Sequence, residues 1–256
     1  MRTPGLFPRL SLAAAAALLL LQSPIARAAS IAQNTSPATM ALSSLPPEER
    51  GDLLMLHQQY LAAIDAYRQA PMDAQTLNKI GIAYHHLFAI DEARKSYEKA
   101  LLIRPNYPEA INNLGAADFT QGNYKQAVRL YRKAFKLMPH SAVIAANLGT
   151  AYFARGKYSS GLEAYQDAFR LDPNVFDADS PAIIQGPANP GERAHQDFCI
   201  AELFAEAGKD NLALDYLRRA LNDGFKDRNR ILQDTEFAQL RKTPEFAQLM
   251  VEEKIH

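Results

Sequence analysis

Asparagine side chains are the residues of this sequence best suited to hold another molecule. Asn112 and Asn113 stand together in the segment INNLG, and Asn147 precedes a second Leu-Gly pair further along the chain. A side-chain amide offers two donors and an acceptor, so it can pair with the backbone of an extended peptide without reading its sequence. The amides therefore predict peptide binding. Solvated polar positions with no partner are the alternative interpretation.

Residue patterns that would indicate catalysis are missing from the sequence. It contains no G-x-x-x-x-G-K-[ST], G-x-S-x-G, H-E-x-x-H or C-x-x-C. His85 and His86 would point about 100° apart on a helix, so they cannot chelate a metal ion from one face. The single cysteine, Cys199, lies in an apolar helical stretch and is predicted to be a buried side chain rather than a reactive thiol. We predict a non-enzymatic protein with no cofactor and no metal.

The balance of charges narrows the class of partner. Lys and Arg number 28, Asp and Glu also number 28, and apolar residues make up 48% of the chain. This composition is typical of a folded protein, and it supplies no basic surface for nucleic acid. We therefore expect a protein or peptide partner and no nucleic acid. The sequence leaves the oligomeric state open.

The first 28 residues have the pattern of a cleaved signal peptide. Arg2 and Arg9 precede an apolar run at 10–21, and Ala-Arg-Ala at 26–28 supplies a small-residue cleavage site. The run is shorter than the ~20 apolar residues that a membrane span needs. We predict export to the periplasm or the medium, with no stable membrane span after cleavage. An uncleaved anchor is the alternative.

An internal repeat organises the centre of the chain. Four columns recur at one constant spacing in three copies: Gly81, Gly115 and Gly149; Tyr97, Tyr131 and Tyr165; Ala100, Ala134 and Ala168; Pro105, Pro139 and Pro173. An aliphatic–Gly pair lets a second helix approach closely, the Tyr and Ala face the first helix, and the Pro ends the unit. A helical hairpin of this kind buries its apolar faces only when copies stack.

These columns resemble the tetratricopeptide repeat (TPR) of exported bacterial proteins. The resemblance implies an all-α, right-handed solenoid of about five helical hairpins with short C-terminal capping helices. The implied segments are a signal peptide (1–28), a flexible lead-in (29–45), a degenerate repeat (46–73), three full repeats (74–107, 108–141, 142–175), a Pro/Gly insertion loop (176–193), a second degenerate repeat (194–223) and capping helices (224–256). We expect the insertion to be a linker and the last segment a lid. A binding role is the alternative for each.

The resemblance also implies where a partner would bind. In a TPR solenoid the first helix of each hairpin lines a concave groove. The residues expected to face that groove are Asn113, Asn147, Lys79, Asn112, Thr150, His86, Phe119 and Phe153. The amides are similar to the asparagine ladder of the O-GlcNAc transferase superhelix, which holds extended substrates, although Lys79 interrupts them here. The sequence thus predicts a scaffold that binds an extended peptide or protein partner in the groove.

Two other functions fit the same sequence. The chain could be a structural or self-assembling envelope protein that uses the faces of its hairpins. It could also be an accessory subunit of an envelope enzyme or a secretion complex.

Overall fold

The computed structural model describes residues 44–177 and 186–252. These residues form helices and no strand. The α-helices are α1 (Pro47–Leu56), α2 (Tyr60–Tyr67), α3 (Ala74–His86), α4 (Ile90–Ile103), α5 (Pro108–Thr120), α6 (Tyr124–Leu137), α7 (Ala142–Phe153), α8 (Tyr158–Leu171), α9 (Pro190–Glu206), α10 (Asp210–Asn222), α11 (Arg228–Gln233) and α12 (Pro244–Glu252), with a 3-10 helix at Leu240–Lys242. The predicted signal peptide, most of the lead-in and the centre of the insertion lie outside the described residues. None of the described helices is long and apolar enough to cross a membrane.

The helices pair into five hairpins, which confirms the predicted α-solenoid. In the first four hairpins, the second helix of one packs antiparallel against the first helix of the next. For example, Arg94 at the start of α4 forms an ion pair with Asp118 at the end of α5. Ala100, near the end of α4, lies in one apolar cluster with Ala110, near the start of α5. The stacking buries apolar faces that a single hairpin would leave in water.

A glycine on the first helix and a tyrosine on the second join the two helices of each regular hairpin. A Cβ atom built on Gly149 would lie 2.2 Å from Tyr165 Cδ1, and the shortest distances to the tyrosine ring in the other three hairpins, to its Cε1 atom, are 2.3, 2.4 and 2.9 Å. Only glycine allows this approach without moving a buried ring. The fifth hairpin places Ala201 and Leu217 at the same sequence spacing, and both are fully buried. There Ala201 replaces the glycine of the first helix, and the smaller Leu217 replaces the tyrosine of the second helix.

The turn inside each hairpin contains one residue with left-handed backbone conformation. Glycine supplies it in the last three hairpins, at Gly122, Gly156 and Gly208. Gln58 and Phe88 occupy the same position in the first two, each with φ of 57°. A bulky residue is strained in this region. The Phe88 side chain is also 77% exposed, so burial does not offset that strain.

The fifth hairpin does not continue the stack, because α9 runs parallel to α8 instead of antiparallel. Tyr158 at the start of α8 stacks on His195 in the first half of α9, with ring centroids 4.2 Å apart. Phe169, near the end of α8, contacts Phe204, near the end of α9, at 5.7 Å. The insertion gives the chain enough length to return from the end of α8 to its start. The hairpin expected over 194–223 is therefore present, but it begins at Pro190 and docks in the reverse sense.

The C-terminal segment covers the apolar face of the fifth hairpin. Phe237, Leu240, Phe246 and Leu249 are buried in the same core as α9 and α10. Thr243 Oγ1 accepts a hydrogen bond from the Phe246 backbone N–H at 3.3 Å, which caps α12. The sequence Glu-Phe-Ala-Gln-Leu occurs at 236–240 and again at 245–249. The first copy forms a turn that leads into the 3-10 helix, and α11 precedes it, whereas the second copy lies in α12.

Candidate functional site

Six polar side chains on the first helices pair across neighbouring hairpins, and we call them the polar column: Glu48, Asn78, Lys79, Asn112, Asn113 and Asn147. Asn113 Nδ2 donates to Asn78 Oδ1 at 3.0 Å, and Asn147 Nδ2 donates to Asn112 Oδ1 at 3.0 Å. Each donor stands two positions before the repeat glycine of its hairpin. Each acceptor stands three positions before the glycine of the preceding hairpin. The pairs therefore connect successive hairpins in a fixed register.

Lys79 interrupts the run of amides but not the column. Its Nζ donates to Glu48 Oε1 at 2.8 Å, which is the same pairing made by different groups, and to Asp52 Oδ2 at 2.7 Å. Partial burial disfavours the charged ammonium, but hydrogen bonds to Asp52 and Glu48 outweigh it and raise the pKa of Lys79. Glu48 and Asn78 were not among the predicted residues. Their signal was a second polar position one residue earlier in each repeat.

The column ends at the fourth hairpin. Ala146 occupies the position at which the next acceptor would stand, so no amide is available to a following hairpin. Asn147 is 2% exposed, and its Oδ1 has no donor among the described residues. The loss of the acceptor coincides with the hairpin after which regular stacking stops.

Asn112 and Asn113 keep hydrogen-bonding capacity for a ligand. Asn112 Nδ2 donates to Asn113 Oδ1 at 3.2 Å, which links the pairs into a continuous chain of amides. Both residues are half-buried. Within the column each uses one of two N–H groups and one of two oxygen lone pairs. Each therefore retains one donor and one acceptor.

Four of the predicted binding residues are buried in this structure. Thr150 and Phe153 are fully buried, Asn147 is 2% exposed, and Phe119 is 6% exposed. The Thr150 hydroxyl shares a hydrogen bond of 2.8 Å with the Tyr165 hydroxyl. Phe153 is buried because α9 lies over α7 and packs in one core with it, whereas Phe119 packs in a separate cluster with residues of α6, α7 and α8. The prediction assumed a regular fifth hairpin, which would have left α7 open.

The end of the insertion narrows the groove further. Residues 186–188 line a cavity of about 350 Å³ together with Phe119 and Thr120 at the end of α5. Arg193 Nη1 holds this segment by donating to the carbonyl oxygens of Pro187 and Ala188 at 3.4 and 3.3 Å. Among the described residues, the concave face therefore closes at the fourth hairpin and remains accessible along α3 and α5.

We call this remaining surface the open groove, and its accessible residues are Lys79, His85, His86, Asn112, Asn113 and Thr120. His86 is exposed and stacks on Tyr60, with ring centroids 4.8 Å apart. Burial and the neighbouring His86 lower the pKa of His85, so its imidazole is neutral near pH 7. Thr120 Oγ1 lies 3.4 Å from His85 Nε2. The open groove offers amides and a neutral imidazole, and the turn that follows α3 exposes the phenyl ring of Phe88.

Groups that could do covalent or metal chemistry are not assembled in the described part of the chain. There, no three His, Cys, Asp or Glu side chains are grouped to hold a metal ion. Cys199 is buried, and burial raises the pKa of its thiol, which keeps it unreactive. This agrees with the predicted small core side chain.

Comparison with known proteins identifies the repeat. The tetratricopeptide repeat model matches residues 72–140 and 109–174. Among solved structures, Pseudomonas aeruginosa PilF is 18% identical, with a TM-score of 0.53 over 82% of this chain and 87% of that chain. MamA is 22% identical, with a TM-score of 0.47 over 68% and 93% of the two chains. TTC0263, a thermophilic TPR protein of Thermus thermophilus, is 19% identical, with a TM-score of 0.49 over 80% and 97%. No curated protein sequence matches significantly.

Proposed function

We propose that this chain, whose residues 72–140 and 109–174 match the tetratricopeptide repeat model, is a non-enzymatic scaffold that binds an extended peptide segment of a partner protein in the open groove. TPR domains bind proteins or peptides. One observation carries the proposal: Asn112 and Asn113 are half-buried on the open stretch of the concave face, and each retains a free donor and a free acceptor. These are the groups that an extended backbone pairs with, whatever its sequence.

The expected affinity follows from the few groups available. Each hydrogen bond to a backbone contributes about 0.5–1.5 kcal/mol net, so two amides alone do not hold a peptide. Phe88 adds an exposed apolar surface beside the turn after α3, and His86 adds an exposed ring. Together these contacts support binding of micromolar order, about −8 kcal/mol. The strained conformation of Phe88 is accounted for if its ring serves a partner.

We also propose that the protein acts outside the cytoplasm, in the periplasm or the medium. The support is the signal-peptide pattern of residues 1–28. The sole cysteine is buried and free, so stability in an oxidising compartment rests on packing alone.

Photo-crosslinking tests the proposed site. A photoreactive benzoyl-phenylalanine replaces Thr120, which is exposed in the open groove, and in a matched variant it replaces Lys99, which is exposed on α4. Irradiation of cells that produce the protein should give a discrete adduct from position 120 and none from position 99. Equal adducts from both positions, or none from position 120, would contradict groove binding.

A second variant pair checks that the adduct depends on the proposed contacts. Phe88→Gly removes the exposed ring and relieves its strained backbone, while Gln58→Gly makes the same backbone change in the first hairpin. Phe88→Gly should reduce the adduct from position 120, and Gln58→Gly should leave it unchanged. Loss of the adduct in both variants would indicate a general effect of the turn, not a contact of the ring.

Self-assembly is a second candidate function, because the first hairpin exposes three leucines. Leu56 is 79% exposed, Leu61 is 67% exposed and Leu53 is 36% exposed. Sedimentation equilibrium tests it with the protein at about 10 and 100 µM, the range that brackets micromolar association. Self-assembly predicts a mass that rises with concentration and falls back in Leu56→Lys. A monomer at both concentrations rejects it.

A further inference from the structure

The reversed docking of the fifth hairpin leaves a groove between α8 and α9. It consists of two cavities of about 500 and 230 Å³ that share Gln166, Leu203 and Glu206, so they form one continuous depression. We call it the α8–α9 groove. It is formed by the backs of the fourth and fifth hairpins and is separate from the open groove on α3 and α5.

The two ends of the α8–α9 groove differ in chemistry. Phe169, Leu203 and Ala207 give the larger cavity an apolar floor. The smaller cavity is lined by four carboxylic acids and one cation: Glu202, Glu206, Asp234, Glu236 and Arg230. Arg170 borders the apolar end, but it is paired with Asp167 at 2.5 Å. The acidic end thus has an excess of negative groups.

Glu202 is the buried member of the acidic end. It is 7% exposed, and its Oε1 accepts from Arg230 Nη2 at 2.6 Å. Its Oε2 is buried with no donor among the described residues, although it belongs to the lining of a cavity. A buried carboxylate oxygen without a donor is costly and is normally satisfied by a partner or a proton.

The surrounding charges show why the cation already present is not enough. Arg230 is shared between Glu202 and Asp234, whose Oδ2 lies 3.7 Å from Arg230 Nε. Glu206 and Glu236 are exposed on the rim. On the other side of α9, Arg219 is paired with Asp197 at 3.1 Å. Burial, and then a side-chain hydrogen bond to Asp234, raise the pKa of Glu202 to about 8. Without a partner, Glu202 therefore carries a proton near pH 7, at the place where a cation would fit.

We propose that the α8–α9 groove binds a protein segment that carries an arginine or lysine close to an aliphatic side chain. The cationic group contacts Glu202 Oε2 between the rim carboxylates Glu206 and Glu236, and the aliphatic group lies on Phe169 and Leu203. Charge complementarity and the missing donor of Glu202 together specify this occupant. The acidic end does not group three ligands around a metal ion within the described residues.

Binding of such a segment is linked to the release of one proton. The cation pairs with the ionised Glu202, and the proton that Glu202 held passes to solvent. Below the pKa of the empty site, affinity should therefore rise about tenfold per pH unit.

The experiment uses the full chain with ¹³C-labelled glutamate carboxyl groups and the peptide acetyl-Leu-Ala-Ala-Arg-amide. Its control is the peptide with citrulline, which keeps the shape of arginine without the charge. The arginine peptide should shift the Glu202 carboxyl resonance and move its titration to lower pH, and the citrulline peptide should not. The proposal would be overturned if the arginine peptide shifted the Glu202 carboxyl resonance neither at pH 6 nor at pH 8. Equal shifts with the arginine and citrulline peptides would also overturn it.

Variants separate the groove from general attraction. Glu202→Gln should weaken the arginine peptide more than tenfold, because a charge-assisted hydrogen bond is lost. Glu206→Gln should weaken it about threefold, as removal of a rim charge does. Glu163→Gln, at an exposed position on α8 outside the groove, should leave it unchanged. If Glu202→Gln fails to fold, the Glu206→Gln and Glu163→Gln pair decides: equal affinity in the two variants overturns the proposal.

Discussion

The polar column predicts that Asn113 stabilises the solenoid, whether or not it also contacts a partner. Asn113 accepts from Asn112 Nδ2 and donates to Asn78 Oδ1. Asn78 is 5% exposed, so removal of the Asn113 amide leaves a buried acceptor without its donor. Each such hydrogen bond contributes about 0.5–1.5 kcal/mol, while alanine recovers about 0.6 kcal/mol of helix propensity. We expect Asn113→Ala to lower the free energy of unfolding by about 1–2 kcal/mol.

A double-mutant cycle isolates the contribution of the pair. Asn78→Ala, Asn113→Ala and the double variant are unfolded in urea and followed by far-UV circular dichroism. The coupling energy between the two positions should be about 0.5–1.5 kcal/mol. Asn222→Ala is the matched control, because Asn222 is exposed on α10 and outside the column. It should change stability by less than about 0.5 kcal/mol.

Additive effects at positions 78 and 113, to within about 0.3 kcal/mol, would refute the argument that the amides hold neighbouring hairpins in register. The result also decides how binding must be tested. If the coupling is present, a loss of binding in Asn113→Ala mixes a lost contact with a changed register. For this reason the crosslinking test above uses Thr120, which takes no part in the column.

Three further predictions concern other parts of the chain. Gly149→Ala should lower the free energy of unfolding by about 1–3 kcal/mol, since its Cβ would overlap the buried Tyr165 ring. Tyr165→Leu should lower the free energy of unfolding less in the Gly149→Ala background than in the wild type. Urea unfolding of the two single variants and the double variant measures both effects. The stability of the fifth hairpin should fall as pH rises from about 5 to 9, because folding raises the pKa of Glu202 to about 8 and the native state binds its proton more tightly. Hydrogen exchange measures this stability against pH, and Glu202→Gln should lose most of the dependence. An unchanged pH dependence in Glu202→Gln contradicts the assignment. N-terminal sequencing of the exported protein should begin at Ala29, and an intact Met1 would refute cleavage.

The hairpins and their joints could be predicted from the sequence because each depends on contacts within one repeat. The Gly149–Tyr165 contact joins two helices of a single hairpin, and the same Gly-to-Tyr spacing recurs in every regular copy. Burial of Phe237 and Leu249 in the lid followed from apolar residues at the end of the last hairpin. Such local contacts leave a periodic trace that can be found without knowing the tertiary structure.

The site was harder to predict because it depends on contacts between hairpins. The donor position was predicted in each full repeat, at Lys79, Asn113 and Asn147, but the acceptor position one residue earlier was predicted only at Asn112. Two residues depart from the repeat pattern: Asp118 stands where the other full repeats have tyrosine, and Gly161 stands where they have alanine. Asp118 is ion-paired with Arg94, and a Cβ on Gly161 would lie 2.7 Å from the Phe153 ring that fills its place. Each departure is compensated by a side chain of another helix.

The burial of Phe153 shows how one reversed hairpin changes which surfaces can bind a partner. Had α9 followed α7 in the regular sense, the inner side of α7 would face the groove as those of α3 and α5 do. Because of the insertion, α9 runs parallel to α8. One side of α9 covers α7, and the outer side of α9 packs less tightly against α8. The same reversal therefore closes the concave groove at the fourth hairpin and opens the α8–α9 groove behind it. A partner of the open groove is confined to the first three hairpins, and a ligand of Glu202 is bound by a surface that a regular repeat array would not possess.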